Sequence, residues 1–157
     1  NGASAIVEQW DGTNWTEVGD LNTARGSTTG IGTTSSGRAA GGYPGSGETA
    51  VNESWNGTSW SEEADINTAR YAAGGSGSST LALIFGGYGP SHSAKTEIWN
   101  GTSWTEINDL GTVTSNGAPA SNSPAGNALF AGGSAPSTTA KTEEWTADNA
   151  LGTITIS

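Results

Sequence analysis

Apolar and polar residues alternate in short runs along this chain, and the runs come in pairs. Lys95 to Leu110 is the clearest copy: Glu97-Ile98-Trp99 and Trp104-Thr105-Glu106-Ile107 flank Asn100-Gly101. Period-two alternation on both sides of an Asn-Gly dipeptide predicts a β-hairpin, and the tolerance of that dipeptide for positive φ predicts a type I′ turn. An isolated hairpin is marginal in water, so the pattern requires neighbouring strands.

The same phrase recurs. Its first tryptophan stands at Trp10, Trp55, Trp99 and Trp145, at intervals of 45, 44 and 46 residues, and its second at Trp15, Trp60 and Trp104. The turn reads Asp11-Gly12, Asn56-Gly57 and Asn100-Gly101. A glutamate precedes each first tryptophan by two positions (Glu8, Glu53, Glu97, Glu143), and another follows each second tryptophan by two (Glu17, Glu62, Glu106). Paired glycines mark the other half of the unit at Gly41-Gly42, Gly86-Gly87 and Gly132-Gly133. Asn22 to Arg25 and Asn67 to Arg70 both read Asn-Thr-Ala-Arg, whereas the third copy is Gly111-Thr112-Val113-Thr114.

In chain order, Ala3 to Trp10 and Asn14 to Val18 are predicted as an opening hairpin, a half unit spanning 3–21. The next unit, 22–66, has an inner strand at Ala24 to Thr34, a turn at Ser35 to Gly37, a strand at Arg38 to Gly41 and a hairpin from Glu48 to Glu62. The unit 67–110 has an inner strand at Ala69 to Gly74, a turn at Gly75 to Ser79 and its most hydrophobic strand at Leu81 to Phe85. The last, 111–157, is expected to run Val113 to Ala118, a loop through Asn122 to Gly126, Ala128 to Ala131, Thr142 to Trp145 and Gly152 to Ile156. Its closing turn, Thr146 to Ala150, lacks the Asn-Gly and the second tryptophan, as a terminal cap would. Four short antiparallel strands per period, without helical periodicity, describe a β-propeller blade. The expectation is an all-β chain, a single partial propeller over 1–157 with about three full blades plus a half blade.

Composition restricts the rest. Of 157 residues, 25 are glycine and 32% are hydrophobic, so small residues must let sheets approach while a few rings supply buried area. The formal net charge of -10 argues against nucleic acid as a partner. The absence of cysteine excludes disulfides and thiolate chemistry. No run approaches the roughly 20 apolar residues that span a bilayer, so a membrane partner is not expected. A start at Asn1 is read as a processed chain or a fragment.

The Gly-Gly pair ending the second strand, with an aromatic before it and tryptophan in the outer strands, as in Phe85-Gly86-Gly87, Trp99 and Trp104, resembles the kelch repeat over nearly the whole chain. The turn is shorter and the aliphatic content lower than in common kelch blades. The wording Glu-x-Trp-Asn-Gly-Thr-Ser-Trp-Thr-Glu, with Asp-Leu-Asn-Thr-Ala-Arg after the first hairpin, resembles tandem kelch-type repeats of marine bacteriophage structural proteins. These resemblances imply a noncatalytic module of a virion, as a tail fibre or capsid appendage, or of an extracellular assembly, serving structure and adhesion. Because propellers close with about four to eight blades, another copy of the chain or further chain is expected to complete the ring. A host-surface glycan or a virion protein is the expected outside partner.

Candidate sites follow from what departs from the period. The loops Gly42 to Glu48, Gly87 to Lys95 and Gly133 to Lys141 vary between copies, and Tyr43, Tyr88 and His92 are their side chains best suited to stack on a sugar or make directional hydrogen bonds. The repeated Trp, Gly-Gly and Glu positions are read as structural, each glutamate accepting hydrogen bonds from a neighbouring blade, with Arg25 and Arg70 as candidate donors. Asp20, Asp65 and Asp109 are read as turn formers. Asn14-Trp15-Thr16, Asn52-Glu53-Ser54, Asn56-Gly57-Thr58 and Asn100-Gly101-Thr102 match the glycosylation acceptor pattern, yet turn chemistry explains three of them. Enzymes of the kelch class resemble galactose oxidase, whose copper is held by two histidines and two tyrosines, one cross-linked to cysteine. With one histidine and no cysteine the chain cannot assemble that site, so no catalytic residue, metal or cofactor is assigned. A fragment of a secreted carbohydrate-active enzyme and a kelch protein-interaction adaptor are the alternative readings.

Overall fold

The computed structural model describes residues 2–120, 127–147 and 152–156, the last five as backbone. The expected loop through Asn122 to Gly126 and residues 148–150 of the closing turn lie outside the described residues. All regular structure is β, in strands β1 (Glu8–Trp10), β2 (Trp15–Glu17), β3 (Thr29–Gly32), β4 (Gly37–Ala40), β5 (Asn52–Trp55), β6 (Trp60–Glu63), β7 (Gly74–Gly77), β8 (Ala82–Phe85), β9 (Thr96–Trp99), β10 (Trp104–Ile107), β11 (Ala118–Pro119), β12 (Asn127–Ala131), β13 (Thr142–Ala147) and β14 (Gly152–Ile156). They form one two-stranded sheet, β1-β2, and three four-stranded antiparallel sheets, β3 to β6, β7 to β10 and β11 to β14, each a simple meander. These are referred to below as the half blade and the first, second and third blades.

The sheets pack face to face across apolar layers. Ile31, Ala40 and Ile66 of the first blade and its outgoing connection meet Ala82, Ile84, Trp99 and Trp104 of the second. Leu83, Phe85 and Leu110 then meet Ala128, Phe130 and Trp145 of the third. β8 therefore has a neighbour on both faces, which explains why all four of its residues are buried and why Ala-Leu-Ile-Phe reads as an unbroken apolar run. Arg38 crosses the first of these layers, its guanidinium 4.1 Å from the Trp99 ring centroid while it donates to the Ser79 carbonyl at 2.7 Å.

Each tryptophan pair lies directly cross-strand: Trp10 with Trp15, Trp55 with Trp60, and Trp99 with Trp104. Their ring centroids are 5.6, 5.3 and 5.5 Å apart. The turn between them is not the predicted two-residue type I′. It is a four-residue loop in which glycine alone takes positive φ (103° at Gly12, 94° at Gly57, 98° at Gly101). The Asn56 side-chain oxygen accepts from the amides of Thr58 and Ser59, both at 2.9 Å, and Asn100 does the same for Thr102 and Ser103. Asp11 plays this part in the half blade, accepting from Thr13 at 2.7 Å and Asn14 at 2.8 Å. The residue is thus selected for a side-chain acceptor, which Asp and Asn share, rather than for positive φ. Those amide bonds to Asn14 and Thr13 hold the Asp11 carboxyl below the usual carboxylate range.

The inner strands begin later than the sequence suggests. Ala69 to Gly74 was expected as strand and Gly75 to Ser79 as turn, but Gly74–Gly77 is the strand. Likewise β3 occupies Thr29–Gly32 within the expected 24–34, and β11 is Ala118–Pro119 at the end of the expected 113–118. The cause repeats in each blade: Ser27, Ala72 and Asn116 sit at φ 51, 54 and 56°, a left-handed kink just before the strand. Their amides bridge sheets, Ala72 N to Ser27 O and Asn116 N to Ala72 O, both at 2.9 Å. The glycines of β7 serve packing. A Cβ on Gly75 would come within 2.5 Å of Thr29 Cγ2, and one on Gly74 within 2.3 Å of the Phe85 ring.

The Gly-Gly pairs have both reasons to be glycine. Gly41 and Gly86 take φ 64 and 65°, and a Cβ there would lie 2.3 Å from the Arg70 carbonyl oxygen and 2.7 Å from that of Thr114, backbone of the next connection. That close approach lets Gly42 N donate to Arg70 O at 2.9 Å and Gly87 N to Thr114 O at 2.8 Å, stitching blade to blade.

Candidate functional site

Two kinds of connection meet at one end of the sheets: those joining the second strand of a blade to its third, and those joining one blade to the next. They are tied by short bridges at corresponding positions, Gly26 with Tyr43, Tyr71 with Tyr88, and Ser115 with Ser134. In the middle bridge each amide donates to the other residue's carbonyl at 2.8 Å. The bridges bring Tyr43 and Tyr88 together with Tyr71, a residue the sequence reading had placed inside a strand. Centroids of Tyr43 and Tyr71 are 5.5 Å apart at 67°, those of Tyr71 and Tyr88 5.5 Å apart at 47°. His92 continues the row, 5.0 Å from Tyr88 at 89°.

Two of the three contacts are edge-on and the middle one is tilted, so every ring is supported by its neighbour. Beyond His92 the row turns polar. His92 Nδ1 lies 3.1 Å from Ser115 Oγ, and Asn116 Nδ2 donates to the same hydroxyl at 3.2 Å. Tyr43 is exposed, the other rings are half-buried, and Gly2, Gly26, Ser27, Tyr43 and Tyr71 line a cavity of about 370 Å³. Among the described residues no partner accepts from or donates to the three phenol hydroxyls. Rings fixed by backbone bridges, with free hydroxyls at their margin, can stack on a sugar ring and bond its hydroxyls without reorganising. Tyr71, Ser115 and Asn116 were missed because they carry no repeat signal: their counterparts at the first bridge are Gly26 and Ser27.

The repeated residues lie below this rim. Glu53 takes Asn22 N at 2.7 Å, Asn22 Nδ2 at 2.8 Å, Thr23 N at 3.3 Å and the Arg25 guanidinium. Glu97 takes Asn67 N at 2.6 Å, Asn67 Nδ2 at 2.9 Å, Thr68 N at 3.1 Å and Arg70 Nη2 at 2.6 Å. The donors come from the connection entering the same blade, not from the neighbouring blade as expected. Burial pushes the Glu53 carboxyl up, but the bonds from Arg25 and Asn22 overcome it and hold it below the usual range. Glu143 is buried and accepts from Gly111 N at 2.6 Å, whereas Glu8 is exposed. Gly132 and Gly133 take φ 69 and 107°, matching the other two pairs. Asn52 is fully buried, its side chain bonded to Arg38 and to Ala64 O, which removes it as a glycosylation acceptor.

A second concavity separates the half blade from the first blade. It holds about 480 Å³ and is lined by Trp10, Trp15, Val18, Ile31, Trp55 and Trp60, among others. Among the described residues β1 pairs with β2 alone, whereas its counterparts β5 and β9 also pair with β4 and β8.

Successive four-stranded antiparallel sheets, packed face to face and linked at one end, define a β-propeller-like protein. No family model matches the chain, and no curated protein matches it. Among solved structures it is similar to that of YjhT, with a TM-score of 0.76 at 13% sequence identity, over 96% of this chain and 52% of that one. The chain thus spans about half the length of YjhT, and at this identity the likeness concerns the fold alone.

Proposed function

We propose that this chain is a noncatalytic, kelch-type propeller module of a virion or extracellular assembly, and that its aromatic rim binds a neutral glycan. The observation that carries the reading is the row Tyr43, Tyr71, Tyr88 and His92, four rings in contact whose phenol hydroxyls have no described partner. The formal charge of -10 disfavours sialylated or sulfated ligands by repulsion. Completion of the ring by a second copy, or by further chain pairing with β1, belongs to the same reading. The apolar cleft beside that strand supports it.

A glycan array probed with the chain tests the rim. Binding to neutral oligosaccharides is expected, reduced at least about tenfold by Tyr71→Ala or Tyr88→Ala and unchanged by Leu81→Ala, in the β7–β8 turn at the opposite end of the sheets. Absence of binding, binding indifferent to the tyrosines, or turnover of a sugar substrate would refute it. Native mass spectrometry reports separately on self-association.

A further inference from the structure

At one place on the rim the two kinds of connection meet through side chains as well as backbone. His92 belongs to the connection between β8 and β9, where it bridges to Tyr88 and stands edge-on to that ring. Ser115 and Asn116 belong to the connection from the second blade to the third. Ser115 exchanges backbone hydrogen bonds with Ser134 at 3.0 and 2.8 Å, and Asn116 N donates to Ala72 O at 2.9 Å, which fixes both backbones. In the third blade Thr138 takes the place of His92, bridged to Ser134 as His92 is to Tyr88. The loop therefore closes without an imidazole, and the fold does not require one.

The buried hydroxyl sets which way the bonds run. Ser115 is 0% exposed, and its hydroxyl has two neighbours among the described residues, Asn116 Nδ2 at 3.2 Å and His92 Nδ1 at 3.1 Å. An amide nitrogen only donates, so it occupies a lone pair of the hydroxyl oxygen. The hydroxyl proton is then left with one acceptor, His92 Nδ1, without which it would be buried and unpaired. Nδ1 accepts, and the neutral ring carries its proton on Nε2. That nitrogen has no partner among the described residues and is not one of their buried unpaired atoms, so its N–H faces solvent.

We propose that His92 is the hydrogen-bond donor of the rim site and Ser115 its positioning residue: Ser115 holds the neutral imidazole as the Nε2–H tautomer, and that N–H binds a hydroxyl oxygen of a neutral sugar lying beside it on Tyr88. The inference rests on the rim reading and adds a polarity to it. The tyrosine hydroxyls can donate or accept, whereas His92 fixed in this way only donates, so the ligand must bring an acceptor oxygen there. A tautomer chosen before the ligand arrives also leaves less freedom to be lost on binding.

His92 is the chain's only histidine, so proton–nitrogen correlation spectra of the intact chain report its ring directly. At about pH 8, above the ordinary imidazole range, the bare nitrogen, which resonates well downfield of the protonated one, should be Nδ1 in essentially every molecule. Ser115→Ala should release a mixture of both tautomers. Binding of neutral oligosaccharides should fall about three- to tenfold with His92→Phe, which keeps a ring and removes the donor, and by a smaller factor with Ser115→Ala. A dominant Nδ1–H form, or tautomer populations that Ser115→Ala leaves unchanged, would overturn the role of Ser115. Glycan binding by the unsubstituted chain that His92→Phe does not weaken would overturn the donor role while the rim reading stands. No glycan binding by the unsubstituted chain would overturn the rim reading and the donor role together.

Discussion

The hairpin of the second blade and that of the half blade are built from the same residue types, yet only the rings of the former are covered. Trp99 and Trp104 are 1% and 5% exposed beneath Arg38, Ile31 and Ala40. Trp10 and Trp15 are 45% and 64% exposed, although their mutual geometry matches that of the buried pair. The hairpin is therefore a local property of its sequence, while burial of its rings depends on the sheet facing them. A tryptophan in this repeat stabilises the fold in proportion to the neighbour it finds.

The sharpest way to break this comparison is to truncate the rings. Trp99→Ala should cost about 3–5 kcal/mol in urea unfolding, against less than about 0.5 kcal/mol for Trp15→Ala. Equal costs would show that the half blade is buried in solution. A smaller effect tests the stitching between sheets. Gly41→Ala combines left-handed φ with a Cβ 2.3 Å from the Arg70 carbonyl oxygen and should cost about 2–4 kcal/mol. Gly45→Ala, also at positive φ but facing open space, should cost less than half as much.

Acid distinguishes the blades through their buried glutamates. The carboxyl of Glu53 is held low when folded, so its contribution is fully present above the unfolded value of about 4.3 and is lost as pH falls through the folded one. Unfolding midpoints measured from pH 6 downward should decline over that range, and Glu53→Gln should lower the plateau while flattening the decline. The smallest effect has the opposite sign. Ala72 takes left-handed φ without being glycine, so Ala72→Gly should stabilise the chain by about 0.5–1 kcal/mol, the relief of strain outweighing the added freedom of the unfolded chain. Destabilisation there would mean that the Ala72 methyl packs to more effect than its backbone strains.

The period of about 45 residues, the cross-strand tryptophan pairs and the four-stranded antiparallel sheets were legible in the sequence because alternation and turn residues act within a few positions of the chain. What the chain could not disclose locally was the start of each inner strand. Ser27, Ala72 and Asn116 adopt left-handed φ to let neighbouring sheets exchange a hydrogen bond, and no residue preference marks them. The glycines of β7 resembled a turn because the rings they admit, Phe85 and Phe130, come from another strand and another sheet. Tyr71 joined the rim for the same reason, since its neighbours Tyr43 and Tyr88 lie 28 and 17 positions away in sequence and meet it only across two connections. Short-range pattern determined which segments pair into sheets. Packing between sheets decided where strands begin, which rings are buried and which side chains share a surface, because those outcomes depend on atoms far apart in the sequence.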